Sequence, residues 1–109
     1  MTREALGEFE HQVLLALLLL EGRGHTAPVV LEMEARTGRT VPAAAVFIAL
    51  RRLERRGYVR SMKWEAQPGE GGRGRREFEV TPAGLDRLRD SRRTFERLWQ
   101  ALDPVIDWQ

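Results

Sequence analysis

Apolar residues recur at helical spacing from about Glu4 to Glu21, with Leu6, Phe9, Val13, Ala16 or Leu17, and Leu20 on one line and Leu14, Leu15 and Leu18 on a second. A helix that is apolar on two sides has to be covered on both. Its longest apolar run, Val13 to Leu20, falls far short of the roughly 20 residues that span a bilayer, so it predicts a buried segment and no membrane partner. A turn is expected at Glu21-Gly22-Arg23-Gly24. A second helix then starts with Thr26 as N-cap and Pro28 in its first turn, pairs Glu32 with Arg36 in the favourable i to i+4 order, and stops near Gly38. A third begins at Thr40 or Pro42 and ends at Gly57. It carries Val46, Leu50 and Leu53 on one face, with Phe47 beside them, and Ala44, Ala45, Ile48, Arg51, Arg52 and Arg55 on the other. Two helices joined by a short turn, the second with such a face, suggest a helix-turn-helix.

The period then changes. Tyr58 to Trp64 has the β-branched and aromatic content of a strand, and Arg76 to Thr81 alternates, with Phe78 and Val80 against Glu77 and Glu79. Between them lies AQPGEGGRG, which makes the pair a hairpin with a long tip. Thr81-Pro82 is a strong helix start, and Leu85, Leu88, Phe95, Leu98, Trp99 and Leu102 follow until Asp103 and Pro104. The seven-residue seam at Leu88, Phe95 and Leu102 offers more apolar surface than a small domain covers alone. Packing on another chain is therefore expected, the alternative being a return onto the Val13–Leu20 helix.

A chain of 109 residues supports one core. Having no cysteine, it offers no disulfide, thiolate zinc site or thiol nucleophile, and His11 and His25 are too few and too far apart to anchor a metal. No cofactor is implied. The N-terminal residues lack the basic flank and cleavage site of a secretory signal, so a cytoplasmic location is expected. The net charge of +2 conceals an uneven distribution: residues 51–76 carry nine basic and three acidic groups, an excess of +6, while the segments on either side are slightly acidic. Eight of the nine cations are arginine, whose planar fork suits phosphate. Such a local excess marks a polyanion site as readily as a solvated surface.

The run GEGGRG at Gly69–Gly74 matches the glycine fingerprint of dinucleotide-binding loops. That fingerprint needs a helix immediately after it, and here a strand follows, in a chain too short for the parallel sheet. No paired carboxylates, Ser-His-Asp set or HExxH motif appears, so an enzyme is not expected. The order of helix, helix, helix, strand, basic glycine-rich loop, strand and helix is that of a winged helix-turn-helix, and the arginine excess falls on the two elements that would touch DNA. The fold class expected is mainly α with a small β-hairpin: a winged helix-turn-helix over residues 1–81, followed by a C-terminal dimerisation helix and tail over residues 82–109.

GEFEHQVLLALLLL, TGRTVPAAAVFIALRRLERRGYVRS and GGRGRREFEVTPAGL together resemble the PadR family of transcriptional regulators, in its short form with one C-terminal helix. The resemblance implies a homodimeric DNA-binding repressor whose last helix packs on the first helix of a partner copy, with an aromatic effector near that interface in some members. Carried onto this chain, it places DNA contacts at Ala44, Ala45, Ile48, Arg51, Arg52, Arg55, Arg73, Arg75 and Arg76. The dimer contacts fall at Leu6, Phe9, Leu14, Leu88, Phe95, Leu98, Trp99 and Leu102, and an effector pocket at Phe95 and Trp99. The chain departs from the family pattern at Pro42, Phe47 and Ile48, where a serine, a tyrosine and a threonine are usual. Losing those hydroxyls removes phosphate contacts and leaves a second reading open: a winged helix that meets a protein in place of DNA.

Overall fold

The computed structural model describes residues 5–64 and 75–106, with side chains throughout except at Trp64 and Arg75. Helix α1 spans Glu8–Leu19, strand β1 Arg23–Gly24, α2 Thr26–Thr37, α3 Ala43–Arg55, β2 Val59–Trp64, β3 Arg75–Val80 and α4 Pro82–Leu102. The three N-terminal helices enclose the core, the sheet closes one side of it, and α4 leaves the sheet to run past α1.

Helix α1 begins later than expected, at Glu8, with Glu8 and Glu10 favourably placed in the first turn of its dipole. Val13, Leu14, Ala16 and Leu17 are buried, as a helix covered by both α2 and α3 requires. Thr26 does not cap α2. The helix starts at Thr26 itself, with His25 in the extended cap position and no side-chain cap bond, because the chain enters it directly from β1. Gly38 ends α2 in the left-handed conformation at φ 71°, as its place in the sequence suggested. Glu34 then reaches across the turn to accept a hydrogen bond from the Val41 backbone at 2.8 Å, which fixes α3 relative to α2. Helix α3 buries Val46, Ala49, Leu50 and Leu53, one continuous helical stripe.

The expected hairpin is widened by a third strand. β3 lies in the centre, antiparallel to β2 on one side and to the two-residue β1 on the other. Phe78 stands opposite both Ser61 and Gly24 and is fully buried, and Gly22 accepts a further bond from the Val80 backbone at 2.9 Å. The other face carries Glu77 and Glu79, which pair with Arg23 and Arg60.

Thr81 caps α4 as the sequence indicates. Its hydroxyl accepts from the Gly84 backbone at 3.1 Å and donates to the Gly57 carbonyl at 2.6 Å, so one side chain joins the helix start to the strand entry. Gly84 is buried tightly against the backbone of Tyr58. Leu88 and Ser91 complete the inward side of the helix, and from Arg92 to Ala101 every residue is exposed. The first half of this helix returns onto the chain's own core, and the second half is exposed along its length as far as Ala101. No helix among the described residues is long and apolar enough to cross a membrane.

Candidate nucleic-acid interface

Burial of Val46, Ala49, Leu50 and Leu53 turns the opposite side of α3 outward. Helical geometry centres that side on Ala44, Ile48, Arg51 and Arg55, at spacings of four, three and four. Ala44, Ile48 and Arg55 are exposed, Ile48 at 52%. Ala45 and Arg52 sit on the flank toward α1, where they line a groove with Phe9 and Glu10. Phe47 and Glu54 sit on the flank toward the sheet. The Phe47 ring meets Phe78 edge-on at 6.2 Å, which explains a large apolar side chain beside an outward face.

The basic residues divide by environment. Arg56 is a brace: it lies 3.7 Å from Glu10 and stacks over the Tyr58 ring at 5.0 Å. Arg60 is paired with Glu79 on the far face of the sheet. Arg51 is half-buried and lies 3.2 Å from Glu54. Arg52 and Arg55 are exposed and make no ion pair among the described residues. Lys63 stands directly opposite Arg76 across the β2–β3 ladder. Like charges at opposite positions repel, so this pair favours an anion alongside it. Lys63, not singled out for DNA contact from the sequence, becomes a candidate only once this register is known. Arg73, with the whole GEGGRG run, lies outside the described residues, as does the Arg75 side chain.

The residues assigned to a dimer interface also separate. Leu14 has no exposed surface and Leu88 has 5%, both within the chain's own core, so neither is available to a partner. Both lie on apolar helical lines, which α1 and α4 turn toward each other and the core. Leu6 and Phe9 are half-buried against the same core. Phe95, Leu98 and Trp99 remain 51–63% exposed, and Leu102 is half-buried. Leu15 and Leu19 on α1, which the sequence reading did not assign to an interface, are exposed as well. They belong to the same run of leucines as Leu14, and only the rotation of α1 tells them apart.

Phe95 and Trp99 help form a groove of about 540 Å³ between α1 and α4, walled by Leu15, Leu18, Leu85 and Leu88 and edged by Arg89, Arg92 and Glu96. His11 lies in it with its ring 6.2 Å from that of Phe95, and burial pushes its pKa below the usual histidine value. A depressed histidine takes up its proton more readily in the unfolded chain. Stability should therefore be full above about pH 6.5 and fall as the pH drops through the folded-state pKa. Thermal unfolding across pH 7.5 to 5 is the check, and His11→Gln should remove this component of the acid sensitivity.

No family model and no curated protein matches this sequence, so the likeness to known proteins rests on shape. A PadR-family transcriptional regulator from Eggerthella lenta is 23% identical, with a TM-score of 0.69 over 89% of this chain and 82% of that one. A winged-helix DNA-binding protein of STIV is 14% identical, with a TM-score of 0.66 over 87% of this chain and 95% of that one. Bordetella bronchiseptica BpsR, whose DNA binding is regulated by 6-hydroxynicotinic acid, is 17% identical, with a TM-score of 0.67 over 99% and 73%. The fold is that of the winged-helix proteins. Within that class it is the fold found in PadR-family regulators, as the sequence motifs had suggested.

Proposed function

We propose that this chain is a sequence-specific DNA-binding transcriptional regulator, a repressor that acts as a homodimer on a pseudo-palindromic operator. The observation that carries the reading is the outward face of α3, where Arg55 and Arg51 follow Ala44 and Ile48, beside a hairpin whose Lys63 and Arg76 are stacked as like charges. Ala44 and Ile48 suit thymine methyl groups in the major groove, and the arginines suit guanine edges or phosphates. The second half of α4 supplies the surface for the second copy. The α1–α4 groove, apolar with arginines at its rim, suits a small aromatic effector held by Phe95 and Trp99.

Salt dependence tests the mechanism. Arg55→Ala removes one phosphate contact from each of two copies, so the slope of log K against log salt should become shallower by about 2. An unchanged slope removes Arg55 from the interface. The rival reading, a winged helix that binds protein, is favoured by the exposure of Ile48. Gel shift against the protein's own upstream region at about 0.15 M salt separates the two, since specific binding falls at roughly 10⁻⁸ to 10⁻¹¹ M. Micromolar binding that ignores sequence favours the rival.

A further inference from the structure

Two of the arginines assigned above to different DNA contacts are linked to one acid, Arg51 directly and Arg76 through Ser61. The Glu54 carboxylate, on the flank of α3, lies 3.2 Å from Arg51 through Oε1 and accepts the hydroxyl proton of Ser61 on β2 through Oε2. The same Ser61 oxygen accepts from Nη1 of Arg76 on β3 at 2.9 Å. Ser61 thus uses its single proton and a lone pair at once, which a side chain without a hydroxyl cannot do. The Arg76 backbone is held separately: its carbonyl is 3.0 Å from Nδ1 of His25, at the start of α2. A carbonyl only accepts, so Nδ1 is the donor in this bond. Helix α3, both hairpin strands and the start of α2 therefore converge on Arg76.

An acid in this place has a cost for a surface that meets a polyanion, because it weakens attraction to every phosphate regardless of sequence. What it provides is geometry. Arg76 faces Lys63 across the ladder, and without a partner its side chain is driven away from that charge into solvent. With the relay intact, its guanidinium stays at a fixed place relative to α3.

We propose that Glu54 and Ser61 are positioning residues that make the recognition helix and the hairpin one DNA-reading unit, through the relay Arg51–Glu54–Ser61–Arg76. The proposal rests on the DNA-binding reading and adds to it the source of discrimination. Ser61→Ala breaks the relay without changing charge, and Ser61→Thr keeps the hydroxyl on a residue well suited to a strand. The full-length chain and both variants are compared on a duplex selected by the unaltered protein from a random pool, and on a scrambled duplex of the same composition. In Ser61→Ala the ratio of the two affinities should fall about tenfold, the scale of one charge-assisted hydrogen bond, while the chain still unfolds cooperatively with a melting temperature lowered by no more than about 10 °C. Ser61→Thr should restore it. Glu54→Gln should also lower the ratio, chiefly by tightening binding to the scrambled duplex. An unchanged ratio in Ser61→Ala overturns the relay and leaves DNA binding standing, whereas an unaltered protein that selects no duplex overturns both. A DNA-free readout is independent of that outcome: ¹⁵N NMR should show hindered rotation of the Arg76 guanidinium that is lost in Ser61→Ala, and free rotation in the unaltered protein overturns the relay.

Discussion

A Gly84→Ala protein should melt far below the unaltered chain, by about 12–20 °C for a loss of about 3 kcal/mol in a domain of this size. A β-carbon at Gly84 would lie 2.1 Å from the carbonyl oxygen of Tyr58, 3.0 Å from its carbonyl carbon and 3.2 Å from its α-carbon. These are backbone atoms, and the backbone there has little freedom to move. The Tyr58 carbonyl accepts from the Thr81 amide at 3.1 Å, while Thr81 also holds the Gly57 carbonyl and the Gly84 amide. To admit one methyl group, α4 must tilt away from the strand and give up these bonds and the burial of Leu88. Helix propensity predicts the opposite, a gain of about 1 kcal/mol for Ala over Gly. Denaturation of the variant decides between them by sign.

The second large effect concerns the far half of α4. Phe95, Leu98 and Trp99 are each more than half exposed on successive turns, an apolar surface that a chain alone in water has no means to cover. Leu98→Glu places a charge there without touching the core, so the isolated fold should retain its melting behaviour. Sedimentation is expected to report a dimer for the unaltered chain and a monomer for the variant. Affinity for a two-part operator should fall by about 10² to 10⁴, because the second half-site loses the benefit of being tethered to the first. A Leu98→Glu protein that stays dimeric moves the interface elsewhere.

Both effects show where sequence reasoning reaches and where it stops. The order of the four helices and the two hairpin strands, the Thr81-Pro82 start, the Gly38 stop and the outward placing of Ala44, Ile48 and Arg55 on α3 follow from periodicity and local chemistry, and these are observed. Leu14 and Leu15 are neighbours of one type, and which is buried depends on how α1 is rotated against α2 and α3. Strand β1 is two residues long and contains an arginine and a glycine, so no local pattern announces it. The relay through Ser61 depends on the register that sets Ser61 opposite Phe78, beside the flank of α3 that carries Glu54. The basic patch was visible as composition. Its division into braces such as Arg56 and exposed cations such as Arg55 required the partners.

The sheet order also governs how the molecule comes into being. Its central strand is the last of the three in sequence, and Arg23 must wait for Glu79 before it has a partner in the sheet. During synthesis all three core helices are made before Phe78, the residue that closes their open side, has been added. Contacts this distant along the chain delay folding and leave apolar surface uncovered meanwhile. The helix-turn-helix is therefore no detachable fragment. It acquires a fixed shape only when the hairpin that would lie beside it on DNA has been made.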